Sequence, residues 1–131
     1  MTLYLDASAL VKRYVAEEGS DLVISSMQEA DSWAICRIGH VEVARAIQLA
    51  AGKPALGRLQ RDWPSFEVVE VDADLAERAA ELTIAAELRS LDALHLAAAL
   101  LLPDEVTVAT WDARLHRASR EVGLATLPPD L

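Results

Sequence analysis

"MTLYLDASALVKRY", residues 1–14, is the stretch on which the fold turns. The apolar run Leu3-Tyr4-Leu5 reads as a short buried strand over residues 3–5. A carboxylate, Asp6, breaks it at once. After Ala7 and Ser8 the chain takes on a helical look from Ala9 to Ala16, with apolar positions around Leu10 and Val11 and charges at Lys12 and Arg13. An acid at the end of a buried strand has two explanations. It caps the helix that follows, or it is the first member of an acidic cluster drawn from across the chain.

The rest of the chain repeats this strand-then-helix grammar. Gly19-Ser20 breaks the first helix and starts a second over Asp21 to Gln28. Trp33 to Cys36 is a short apolar strand, and Gly39 precedes a helix, "HVEVARAIQLAAG", that ends at Gly52. Pro54 opens a helical stretch that Pro64 closes. "FEVVEVD", residues 66–72, is the clearest strand by composition. Helices follow over Asp74 to Glu87 and Leu91 to Leu102, the second stopped by Pro103. A strand over Val106 to Ala109, a helix over Ala113 to Glu121 and a strand over Leu124 to Leu127 complete the chain. Short strands separated by helices predict a parallel sheet covered on both faces. The length of 131 residues and the lack of an internal linker or repeat predict one domain, 1–131. Periodicity does not order the strands. It does make the acids just after strands the ones to watch, because sites in open α/β sheets lie beyond the carboxyl ends of the strands.

Bulk chemistry narrows the function classes. Apolar residues make up 53% of the chain, which suits a folded domain. One cysteine, Cys36, excludes an intrachain disulfide framework and Cys2His2 zinc sites, and fits a reducing cytoplasm. The N-terminus lacks the basic and apolar pattern of a secretory signal, and the longest apolar run, "ALHLAAALLLP", is too short to span a membrane. A net charge of −9, from 12 basic and 21 acidic residues, argues against a passive nucleic-acid binder. It leaves room for a nuclease whose acids gather around metal ions, and for a basic protein partner.

Four carboxylates stand out by position. Asp6 and Asp112 each follow a strand. Glu42 lies early in the third helix beside Val41, Val43 and Ala44, and Asp92 lies near the start of the apolar helix in "SLDALHLAAAL". Each has a bland reading: Asp6 or Ser8, Ser90 or Asp92, and Asp112 all stand where helix caps stand. As a set they are harder to dismiss, because uncompensated acids against apolar segments are costly to bury. Converging acids need a counter-ion, and a hard divalent cation, Mg²⁺ or Mn²⁺, matches oxygen ligands. Arg45 and Arg89, spaced three residues from Glu42 and Asp92, are candidates to orient an acid or bind phosphate. Their bland reading is solvent exposure, as it is for Lys12, Arg13 and Arg37. His95 reads as a packed or hydrogen-bonded residue at the core edge, His40 and His116 as surface or cap residues, and Cys36 as an inert small hydrophobe. Trp111 reads as packing beside the sheet, with base stacking as the rival reading.

At these residues the sequence closely resembles the PIN-domain ribonucleases, specifically the VapC-like toxins of toxin–antitoxin pairs. The resemblance covers essentially the whole chain. "LDASALVKRY" looks like the first acidic motif, which makes Asp6 a metal ligand and Ser8 its supporting hydroxyl. "HVEVARA" looks like the second, with Glu42, and "LRSLDALHLAAAL" like the third, with Asp92. "VATWD" resembles the closing motif, with Thr110 as a polar helper and Asp112 as the fourth acid. The departures are mild: Trp111 stands where relatives often carry another aromatic, and Ala109 offers no hydroxyl. The resemblance implies a three-layer α/β/α domain with strand order 3-2-1-4-5 and a homodimer. It also implies Mg²⁺ or Mn²⁺ at the four acids, and hydrolysis of RNA to 5′-phosphate and 3′-hydroxyl ends. A small antitoxin would neutralise the protein and link it indirectly to operator DNA. Apolar antitoxin residues are expected near Leu10, Val11, Val15, Leu22 and Val23.

Three rivals remain on sequence alone. A magnesium-dependent phosphatase of the haloacid-dehalogenase kind wants D-x-D after the first strand, where this chain has Asp6-Ala7-Ser8; a structure-specific DNA nuclease would use similar acids. A receiver-like phosphoacceptor would need an aspartate after the third strand, where Asp72 falls, and a later lysine, but no lysine follows Lys53. An inactive binding module would have little reason to keep all four acids.

Overall fold

β1 (Thr2–Leu5) is the central strand of a five-stranded parallel sheet, flanked on one side by β2 and on the other by β4. The computed structural model describes residues 1–103 and 105–131. After β1 come α1 (Ala7–Tyr14), α2 (Ser20–Glu29), β2 (Ser32–Cys36), α3 (Arg37–Ala50) and α4 (Lys53–Asp62). A 3-10 turn (Trp63–Ser65) leads into β3 (Phe66–Val69), then α5 (Ala73–Ala85), α6 (Ser90–Leu101), β4 (Val106–Ala109), α7 (Ala113–Glu121) and β5 (Ala125–Leu127). The strand order is β3-β2-β1-β4-β5 and every pairing is parallel. This is the expected 3-2-1-4-5 order. It differs from the 2-1-3-4-5 order of receiver-like domains, which removes that rival. Asp72, the would-be phosphoacceptor, caps α5 by accepting the Leu75 N–H at 2.8 Å.

β1 is buried along its whole length, and its side chains divide between two cores. Leu3 and Leu5, with Ile35 and Ala109, face α1 to α4 through Ala9, Leu10, Val23, Met27, Val43, Ile47 and Leu59. Tyr4, with Ala34, Cys36, Val106 and Val108, faces α5 to α7 through Leu75, Ala93, Leu96, Ala97 and Leu115. The two-residue period of a strand thus places one helical layer on each face. Leu10 and Val23 are fully buried in the first of these cores, so they are not part of a surface left for a partner.

Several boundaries differ from expectation by a few residues, and three of the differences have a visible cause. The strand expected over 66–72 ends at Val69, because its partner β2 ends at Cys36 and offers nothing to pair with beyond the Cys36–Val69 step. The first helix begins at Ala7, because Asp6 itself is the cap, and stops at Tyr14, where Val15 turns to extended backbone. The third helix begins at Arg37 and carries Gly39 inside it, buried. A Cβ at Gly39 would lie 2.7 Å from Ile35 Cγ1 and 3.1 Å from the Cε1 of the His95 ring, so the glycine lets α3 settle against β2 and α6.

These contacts predict opposite outcomes for two helical glycines. Gly39→Ala should cost roughly 1–3 kcal/mol in urea unfolding, since overpacking exceeds the gain in helix propensity. Gly57→Ala in α4, where the nearest atom to the new Cβ is the tip of Arg61 at 3.7 Å, should stabilise by about 0.5–1 kcal/mol.

Candidate active site

The chain runs from β1 outward to β3 on one side of the sheet, then returns to build β4 and β5 on the other. The seam between β1 and β4 is therefore the topological switch point, where α/β sheets open a crevice at their carboxyl edge. Asp6 leaves β1 at this seam and residues 110–112 leave β4 beside it. The crevice is a pocket of about 360 Å³ lined by Asp6, Ser8, Glu42, Arg89, Asp92, His95 and Asp112, among others. Asp6, Glu42, Asp92 and Asp112 thus come from four separate elements to one place. Asp6 and Asp92 are 5% and 8% exposed.

Hydrogen bonds at the seam fix Asp6. Its Oδ1 accepts from the Ser8 hydroxyl at 2.7 Å and from the Ala9 N–H at 3.0 Å, and its Oδ2 accepts from the Thr110 hydroxyl at 2.5 Å. Both hydroxyls also accept from the second loop: Ser8 from the Trp111 N–H at 2.9 Å, Thr110 from the Asp112 N–H at 3.0 Å. Ser8 and Thr110 therefore stitch the end of β1 to the approach to α7. Asp112 divides its work between its two oxygens. Oδ1 caps α7 by accepting the Arg114 and Leu115 N–H groups, each at 3.0 Å, and Oδ2 accepts from Arg89 at 2.8 Å. Capping and membership of the acidic set are thus compatible for Asp6 and Asp112. Asp92 caps nothing: the cap position of α6 is Arg89, with no side-chain bond to the helix.

Arg89 spans two of the acids. Its Nε lies 3.2 Å from Asp92 Oδ2 and a terminal nitrogen 2.8 Å from Asp112 Oδ2, while its side chain remains 61% exposed. Glu42 meets a different partner, with Oε1 2.7 Å from His95 Nε2. Arg45 is exposed on α3 and lies outside the pocket lining. Lys12 is buried, not solvated: its Nζ bonds Glu17 at 3.0 Å and the Glu18 carbonyl at 2.8 Å, and sits 4.7 Å from the Trp111 ring centre. Gly19 packs close to the same indole: a Cβ there would lie 2.7 Å from the Trp111 ring and 3.2 Å from the Lys12 side chain. Trp111 therefore packs beside the sheet, partly buried against the first core. Arg13 pairs with Asp62 and Arg37 with Glu70, both away from the pocket lining.

Burial raises the Asp6 carboxyl above its ordinary range, against the pull of its three hydrogen bonds. Burial also raises Asp92, with the neighbouring Asp112 charge adding to it and Arg89 opposing. The site thus holds negative charge short of compensation. The donors are anionic oxygens, which is the chemistry a hard divalent cation takes. Among the described residues, no three carboxylate, histidine or cysteine side chains are drawn close enough to hold an ion, and Arg89 supplies the positive charge between Asp92 and Asp112. The side-chain set therefore fits such a cation by its chemistry, with Arg89 standing as the present counter-ion.

A parallel α/β domain of this strand order, with an acidic crevice at its switch point, defines a class. Comparison with known proteins defines it further. The PIN domain model matches residues 3–121. Ribonuclease VapC49 of Mycobacterium tuberculosis is 35% identical over 139 residues, covering 98% of this chain and 96% of that one. Ribonuclease VapC46 of the same organism is 32% identical, covering 97% of each chain. Among solved structures, a toxin–antitoxin complex from Klebsiella pneumoniae superposes with a TM-score of 0.76 at 18% identity, covering 98% and 99% of the two chains. M. tuberculosis VapC20, a sarcin–ricin loop cleaving toxin, gives 0.72 at 16%, covering 94% and 96%. This chain belongs to the PIN-domain family, among its VapC-type members.

The raised carboxyls predict a pH dependence. A carboxyl raised in the folded state costs stability once ionised, so its contribution is present at low pH and lost as pH rises through the folded value. Asp92→Asn should therefore melt above wild type at neutral pH in EDTA. The difference should shrink as pH falls toward the ordinary carboxylate range, as calorimetric melts at several pH values would show.

Proposed function

We propose that this protein is a divalent-metal-dependent endoribonuclease and the toxin of a toxin–antitoxin pair, hydrolysing RNA phosphodiester bonds at the Asp6–Glu42–Asp92–Asp112 crevice. The observation that carries the reading is the delivery of these four acids, from four elements, to one pocket at the switch point of a PIN-family sheet. Asp6, Asp92, Asp112 and Glu42 are the residues that would hold Mg²⁺ or Mn²⁺. A bound ion of this kind supplies Lewis-acid polarisation of the phosphate and a lowered pKa for water.

The chain's own groups prepare that chemistry. Ser8 and Thr110 hold Asp6 in one rotamer and keep both its oxygens ordered, a supporting role of the sort that tunes metal affinity. The cap on α7 fixes Asp112 through Oδ1 and leaves Oδ2 to the pocket. Arg89 balances Asp92 and Asp112, and its exposed guanidinium can turn outward to a phosphate once those acids are otherwise neutralised. Arg45, exposed further along α3, is a phosphate contact for RNA that continues beyond the pocket. The RNA would be engaged as an exposed loop or single strand, the form in which its bases and backbone are accessible to side chains. The acidic crevice would accept a basic antitoxin segment, the protein would act in the cytoplasm as a homodimer, and operator DNA would be reached only through the antitoxin.

The test is to express the chain alone and with the product of the adjacent gene, then assay a panel of structured RNAs with Mg²⁺, Mn²⁺ or EDTA. Cleavage should require the metal and be suppressed by the neighbour. No cleavage across the panel, together with no complex with the neighbour, would sink the reading. Asp6→Ala should reduce turnover to background. Ser8→Ala should cost about 10–100-fold while retaining a cooperative melt. Unchanged activity per folded molecule in Ser8→Ala would leave Ser8 as a structural stitch alone.

A further inference from the structure

Behind Glu42 lies a buried chain of hydrogen bonds that the acidic site does not itself require. Tyr4, in the middle of β1, is fully buried, and its hydroxyl accepts from the Cys36 N–H at 3.1 Å and lies 2.7 Å from His95 Nδ1. His95, 3% exposed, reaches Glu42 Oε1 through Nε2 at 2.7 Å. The proton inventory has one solution that satisfies every donor. The Tyr4 oxygen accepts the Cys36 N–H, and the one acceptor among the described residues within reach of its own single hydrogen is His95 Nδ1, so that hydrogen points there. Nδ1 is then an acceptor, the ring proton sits on Nε2, and Nε2–H donates to Glu42. The opposite tautomer would face Nδ1–H against the tyrosine, strand the phenol hydrogen in the core, and set a ring lone pair against a carboxylate. Burial holds the phenol far above its ordinary pKa, so it stays a donor.

The packing is built to keep this ring in place. Gly39 on α3 clears the space beside His95 Cε1, and the Tyr4 ring meets the imidazole edge-on, with centroids 5.9 Å apart at 73°. His95 is three residues along α6 from Asp92, so one helix face carries both an acid of the site and the group that orients another. Glu42 needs such help. It is the one glutamate of the four acids, with more rotatable bonds than an aspartate, and its side chain is 29% exposed at the pocket wall.

We propose that Tyr4 and His95 are positioning residues of the site: the Tyr4 hydroxyl fixes His95 as the Nε2–H tautomer, and His95 in turn holds Glu42 Oε1 so that Oε2 is left as its oxygen for a cation. The proposal rests on the metal-site reading above.

Two measurements test it. Long-range ¹H–¹⁵N spectra of the metal-free protein, with its three histidines, should show His95 protonated at Nε2 and bare at Nδ1, with His95→Gln providing the assignment. Tyr4→Phe should let the two tautomers mix. Mn²⁺ titration by calorimetry should then show about a tenfold or greater loss of affinity in His95→Leu. His95→Gln, whose amide N–H can replace the ring Nε2–H, should restore most of it. An Nδ1–H tautomer in wild type, or wild-type Mn²⁺ affinity in folded His95→Leu, would overturn the proposal and leave the metal site standing. No Mn²⁺ binding by wild type would overturn both readings together.

Discussion

Asp6 has almost no contact with solvent, yet it carries a carboxylate at the end of the most buried strand in the domain. Such a group is tolerated only if its oxygens are saturated with donors. The donors come from Ala9, Ser8 and Thr110, and the last lies 104 residues away in the chain. The 2.5 Å contact between Thr110 and Asp6 therefore ties together the two halves of the sheet at the point where its order reverses. Once that seam is closed, Ser8 and Thr110 have further lone pairs to offer the Trp111 and Asp112 N–H groups, and the loop into α7 follows. The architecture of the crevice grows out of the need to satisfy one buried acid.

Positive charge at the crevice is sparing and local. Arg89 lies across Asp92 and Asp112, while Lys12, Arg13 and Arg37 are committed to other acids or to backbone. A domain with a net charge of −9 does not attract a polyanion by its overall field. Binding RNA at this site would depend on cations brought to the acids and on the few guanidinium groups at its rim. The same field favours a basic partner, so substrate and inhibitor would meet the crevice under opposite electrostatic conditions.

The bland and the functional readings of an acid after a strand turn out not to compete. Asp112 caps α7 with one oxygen and presents the other to Arg89. Asp6 caps α1 with Oδ1 while Oδ2 meets Thr110. A carboxylate has two oxygens and several lone pairs, so a cap that fixes one oxygen also fixes the direction of the other. Asp92 is the exception, and its freedom from capping leaves it to the pocket and to Arg89.

Much of this was legible in the chain itself. Strand-then-acid at Asp6 and at Asp112, the acid in the early turns of α3 and the acid opening the apolar α6 could be read because they depend on near neighbours. So could the parallel sheet, since alternation of short apolar runs with helices leaves few other solutions. What the sequence could not show is whatever depends on which strands pair and which faces meet. β3 ends early only because β2 does. Lys12 lies beneath Trp111, which reaches it from 99 positions along the chain. Tyr4 finds His95 across 91 positions, and its hydroxyl also takes a backbone N–H, that of Cys36, from a third element. Local pattern determines which residues are candidates. Only tertiary packing decides how they are partnered, because a hydrogen bond between distant residues has no counterpart in local spacing.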